Sequence, residues 1–139
     1  MNKHLVFVYG MLRRDGVRPM SVSYPAAKFI AEATTSGHLY DLGAFPGVLL
    51  DASGSPVVGE VYEVDDELLN RLDEFEATSN YLRQRVEIHL GSERKPCWIY
   101  VPDPQFYSPR TLIASGDWIA HGRTERDRQG ETATGEIES

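Results

Sequence analysis

The 139-residue chain alternates short apolar runs with polar, turn-forming breaks. Leu5 to Tyr9 is a continuous apolar run stopped by Gly10, the pattern of a buried strand. Arg13 to Arg18 is polar and contains Asp15-Gly16, a turn pair. Phe29 to Tyr40, rich in β-branched and small residues around Gly37, predicts one strand or two. Gly43-Ala44-Phe45-Pro46-Gly47 is a turn-rich break, after which Val48 to Leu50 resumes the sheet. Asp51 to Pro56 reads as a hairpin loop leading into a strand over Val57 to Val64. Tyr81 to Leu90 and Lys95 to Val101 predict two further strands, joined by a turn at Gly91-Ser92. One segment has helical period. Leu68, Leu69, Leu72 and Phe75 form a single apolar stripe on a helix from Asp66 to about Glu76. Asp65 suits its N-cap, and Asp66 and Glu67 place negative charge in the first turn, where the helix dipole favours it. Many strands with one main helix predict an α+β fold, its sheet curled into a barrel-like form with the helix packed against it.

The pattern changes at Gly122. From there to Ser139 no aromatic residue occurs, and Ile137 is the only large aliphatic. Such a segment cannot bury enough apolar surface to offset the entropy of ordering it. Residues 1–121 are therefore expected to form the domain, and 122–139 a loose polar tail.

Composition narrows the function classes. Hydrophobic residues are 41% and charged residues 25% of the chain, ordinary values for one globular domain. A net charge of −7 argues against a nucleic-acid-binding face and against a polybasic membrane anchor. The single cysteine, Cys97, can form neither an internal disulfide nor a thiolate metal cage. Leu5 to Tyr9 is too short for a secretory core or a membrane span. The expectation is a cytoplasmic protein. His4, His38, His89 and His121 lie far apart without ligand spacing, so no metal site is expected from them.

Two places could carry chemistry. On a helical wheel with Leu68 at zero, the apolar stripe centres near roughly 30°, Glu76 falls at roughly 80° and Glu74 at roughly 240°. Glu74 should face water, and Glu76 should stand at the edge of the buried face. There, desolvation raises a carboxylate's pKa toward the range of a general acid/base near neutrality. Alternatively Glu76 lies past the last turn and simply faces solvent. The second place is Tyr9-Gly10-Met11-Leu12, where a glycine-ended strand can present backbone N–H groups as an anion-binding nest, with Arg13, Arg14 and Arg18 following. The alternative is an ordinary turn with solvated arginines. No phosphate-loop fingerprint and no G-x-S-x-G nucleophile elbow is present. Cys97 alternates with Ile99 and Val101 and reads as a small buried hydrophobe. Tyr81, Trp98 and Tyr100 read as strand aromatics of the core.

In their order along the chain these segments resemble the gamma-glutamylcyclotransferase-like family. The resemblance is carried by Tyr9-Gly10-Met11-Leu12, by Gly37 to Gly47, by Gly59-Glu60-Val61-Tyr62 and by the helix end Leu72 to Glu76. It continues through Tyr81-Leu82-Arg83, Trp98-Ile99-Tyr100 and Ser115 to Trp118. It implies a small mixed β-barrel with one main helix against it. It also implies a pocket in which Glu76 is the catalytic acid/base and Tyr9, Gly10, Met11, Leu12, Tyr81 and Tyr100 bind a small-molecule γ-glutamyl substrate. The implied reaction cyclises the γ-glutamyl group to 5-oxoproline and releases the attached amine or amino acid, with no metal or cofactor. The family's usual Ser or Thr in the first loop is Met11 here, a change that bears on substrate identity more than on mechanism. A non-catalytic binding module using the same pocket is the alternative, and hydrolysis through Cys97 a third.

Overall fold

A computed structural model describes residues 2–108 and 111–123 of the chain. Its elements are β1 (Lys3–Val8), α1 (Met20–Ser23), β2 (Lys28–Asp41), β3 (Pro46–Leu50), β4 (Ser55–Asp65), α2 (Asp66–Ala77), β5 (Tyr81–Leu90), β6 (Glu93–Pro102) and β7 (Thr111–Leu112). Of the expected tail, Gly122 and Arg123 are helical together with 118–121; the remainder lies outside the described residues.

Five strands close on themselves in the order β2-β4-β1-β6-β5 and back to β2, making a barrel. β1 runs antiparallel to β4 (Val6 opposite Tyr62) and parallel to β6 (Phe7 opposite Ile99), so the sheet is mixed as expected. β5 and β6 form a hairpin whose turn uses Gly91 at φ 61°, a backbone region costly for residues with a Cβ. The seam is the pair Thr34–His89, reinforced by the Thr35 hydroxyl donating to the Glu87 carbonyl at 3.0 Å. β3 and β7 extend the far end of β2, pairing Leu39 with Val48 and Tyr40 with Leu112.

The apolar run of β1 is continuous because both of its faces are covered. Phe7 points with Val57, Val61, Ile88 and Ile99 into the barrel. Val6 and Val8 point outward into a second cluster with Leu68, Leu69, Leu72 and Tyr62, which seats α2 on the barrel wall. Fully burying a side chain such as Leu72 contributes about 1.5–3 kcal/mol. The helix begins where its residues predict, with the Asp65 carboxylate accepting the Leu68 amide at 2.8 Å. Among the described residues no helix is long and apolar enough to cross a membrane.

Several local expectations are settled or corrected. Of the two alternatives for Phe29 to Tyr40 the structure has one strand, the 14-residue Lys28–Asp41, with a bulge at Ile30 that absorbs a register shift against β4. Pro46 and Gly47 belong to β3, and Ser55 and Pro56 to β4, so the breaks before and after β3 are shorter than their turn-forming residues suggest. The single turn α1 and the two-residue β7 are too short to leave a periodic signal.

Candidate active site

The loop after β1 is shaped by a close approach between two distant segments. A Cβ on Gly10 would stand 2.6 Å from the Pro46 ring, so only glycine lets this loop meet the start of β3. Three carbonyls of the loop are engaged: Gly10 accepts from the Arg13 amide, Met11 from Arg18 and Leu12 from Met20, at 2.9–3.1 Å. Among the described residues the amide N–H groups of Gly10, Met11 and Leu12 have no acceptor. A run of adjacent donors without acceptors is the electrostatic signature of an anion nest.

Behind the loop, Glu60 is buried in β4 and holds the chain from below. Its carboxylate accepts from the Arg14 amide at 3.0 Å and from the Tyr62 hydroxyl at 3.0 Å. Arg13 lies between Glu60 and Asp117, with a 2.8 Å bond to the latter. Arg14 reaches Glu32 at 2.9 Å. Arg13 and Arg14 are thus paired with carboxylates, and of the three arginines after the loop only Arg18 borders the cavity described next.

That cavity, of about 280 Å³, lies between the loop, the end of α2 and the outer face of the barrel. Tyr9, Gly10, Met11, Leu12, Glu76, Tyr81 and Tyr100 all line it. Glu76 is half-buried and Glu74 exposed, the division that the helical wheel predicts. Burial pushes the Glu76 carboxyl up to about 7, with Arg18 opposing the shift. No hydrogen bond and no ion pair within contact distance of a described residue holds this carboxylate.

The three tyrosines enter the cavity differently from what their chemistry alone suggests. Tyr9 donates its hydroxyl to the Tyr100 carbonyl at 2.7 Å, Tyr81 to the Pro46 carbonyl at 2.6 Å, and Tyr100 to Asp73 at 2.6 Å. Asp73 in turn pairs with Arg83 at 2.9 Å. Each hydroxyl is committed to the protein, so these residues offer the cavity ring surface rather than donors. Burial raises the pKa of all three. Phe45, Pro46, Phe75 and Ser79 also line the cavity and were not singled out from the sequence as site residues. The turn-rich break at 43–47 was the available signal for Phe45 and Pro46. Cys97 lies in the barrel interior, with its thiol pushed up to about 12 by burial, and is inert as a nucleophile at neutral pH. Among the described residues no group of three or more His, Cys, Asp or Glu side chains is placed to hold a metal.

Known proteins match the chain along nearly its whole body. The sequence profile described as "Gamma-glutamyl cyclotransferase, AIG2-like" matches residues 6–120. A candidate gamma-glutamylcyclotransferase of Vibrio cholerae is 36% identical over 117 residues, 84% of this chain and 96% of that protein. The gamma-glutamylaminecyclotransferase of Bos taurus is 35% identical over 109 residues, 68% of this chain and 63% of that protein. The crystal structure of YkqA from Bacillus subtilis superposes with a TM-score of 0.75 at 29% identity, covering 91% of this chain but only 43% of YkqA. A small barrel of this connectivity, the Gly10 loop facing a raised-pKa glutamate, and matches along nearly the whole body lead to one assignment: the chain belongs to the gamma-glutamyl cyclotransferase, AIG2-like family and is an enzyme of the gamma-glutamylcyclotransferase-like class.

Proposed function

We propose that this chain cyclises a γ-glutamyl group to 5-oxoproline and releases the attached amine or amino acid, with Glu76 as general acid/base. The observation that carries the reading is the pairing, in one cavity, of a carboxylate titrating near 7 with a loop of three uncommitted amide donors. In the reaction the α-nitrogen of the substrate forms a bond to its own γ-carbonyl carbon, and the bond from that carbon to the leaving nitrogen breaks. No water is consumed, and the protein supplies no nucleophile. Its first task is to hold the glutamyl chain curled, because orientation alone lowers such a barrier by several kcal/mol. Its second is to offer donors to the substrate's carboxylate or to the oxyanion that develops on the γ-carbonyl, a task suited to the amides of Gly10, Met11 and Leu12. Its third is proton transfer. Glu76 takes a proton from the α-nitrogen and returns it to the leaving nitrogen, and a pKa near neutrality suits both directions. The rings of Tyr81 and Tyr100 wall the site, while Met11 replaces a hydroxyl with an apolar side chain beside the ligand. The name of the bovine relative supports a γ-glutamyl compound as substrate. The reading includes a cytoplasmic setting, in keeping with a single, buried thiol. The test is a panel of γ-glutamyl dipeptides and γ-glutamylamines, assayed for 5-oxoproline. Stoichiometric release of 5-oxoproline and free amine is expected from at least one of them. Binding without turnover across the panel would favour the non-catalytic module.

A further inference from the structure

Of the described residues lining the cavity, only Glu76 and Arg18 are charged. Arg18 is exposed yet borders the cavity, so it stands where the cavity opens to solvent. Its guanidinium lies over the Phe75 ring, 4.7 Å from the centroid. Its amide is tied to the Met11 carbonyl at 2.9 Å, which joins its backbone to the nest. Arg13, Arg14, Arg83 and Arg94 each have a carboxylate in ion-pair contact; among the described residues Arg18 has none that close, though its charge acts on Glu76 across the cavity wall. An arginine steadied on an aromatic face with its N–H fork uncommitted is suited to take a carboxylate in bidentate fashion. In a chain of net charge −7 it also supplies local attraction for an anion at the entrance.

We propose that Arg18 is a specificity residue that receives a carboxylate on the leaving amine. The chain then prefers γ-glutamyl compounds whose leaving group is an amino acid over those releasing a simple or cationic amine. The inference rests on the cyclotransferase reading above. With the glutamyl part between the Gly10–Leu12 amides and Glu76, the leaving group extends toward the open side, where Arg18 stands.

The test compares γ-glutamylalanine with γ-glutamylethylamide, which differ only in that carboxylate, on the wild type, Arg18→Met and Arg18→Lys. The quantity read is the ratio of kcat/KM for the two substrates. The folded fraction and any effect of Arg18 on Glu76 act on both substrates and cancel in it. The wild type is expected to favour γ-glutamylalanine by roughly tenfold or more, the scale of a charge-assisted pair. The ratio should collapse toward one in Arg18→Met and keep part of its value in Arg18→Lys. A wild type without preference overturns the inference, and so does an Arg18→Met variant that keeps the ratio. If both substrates weaken in parallel, Arg18 holds the shared glutamyl carboxylate: the inference fails while the cyclotransferase reading stands. Absence of 5-oxoproline from these and every other γ-glutamyl compound overturns that reading, and the inference with it.

Discussion

Glu76 shares its cavity wall with Leu72 and Phe75, and that company favours its protonated form. The sign of the consequence for stability follows from the two pKa values. Between the ordinary 4.5 and the folded-state value of about 7, the folded chain holds more protons than the unfolded one. Stability therefore falls as pH rises through that window, and the full cost is present above about 7. Glu76→Gln keeps the shape without the charge. It should melt a few degrees above the wild type at pH 8, with the gain vanishing by pH 4, as followed by thermal denaturation at both pH values. The position of Glu76 was legible from the sequence because a helical wheel needs only local spacing. The commitments of Tyr9, Tyr81 and Tyr100 were not, since their acceptors lie 91, 35 and 27 residues away.

At the scale of elements, the loop between β1 and α1 is held by groups from several parts of the chain. Glu60 of β4 grips the Arg14 amide, Asp117 grips Arg13, and Pro46 of β3 lies where any Cβ on Gly10 would intrude. Arg13 and Arg14 thus anchor the loop, which local sequence does not show because their partners are remote in the chain. Under the proposed function the grip on the Arg14 amide also makes Glu60 a positioning residue for the loop amides. Glu60→Gln removes the charge between Arg13 and Arg14 and should lower stability by about 1–3 kcal/mol. Its kcat/KM should fall tenfold or more while the acid limb of the pH profile keeps its midpoint near 7, because Glu76 is untouched. A shifted midpoint would show that Glu60 acts through the carboxylate instead. Elements with strong period or clear turn residues, such as α2 and the β5–β6 hairpin, were legible nearly to their ends. α1 was not, since a four-residue turn offers no repeat to detect.

For the whole molecule, the sequence pattern indicated strands curled around a core but not how the barrel closes. Closure depends on one pairing, Thr34 with His89, and on a parallel contact between β1 and β6. Neither has a local signature. Under the proposed function the closed wall positions the site. β1 buries Phe7 inside and Val6 and Val8 outside, so the loop that follows is fixed to both the barrel core and the helix layer. The two working parts proposed for the site, the loop amides and the Glu76 carboxylate, thus belong to different layers whose separation is set by packing rather than by a flexible tether.

The most direct test of the account is the pH dependence of 5-oxoproline release by the wild type and by Glu76→Gln, measured on the best substrate of the panel. The account predicts that wild-type kcat/KM falls about tenfold per pH unit below a midpoint near 7. It also predicts that Glu76→Gln, still folded, loses a factor of roughly 10² or more in turnover together with that acid limb. A folded Glu76→Gln enzyme that keeps wild-type turnover and the same pH profile would contradict it.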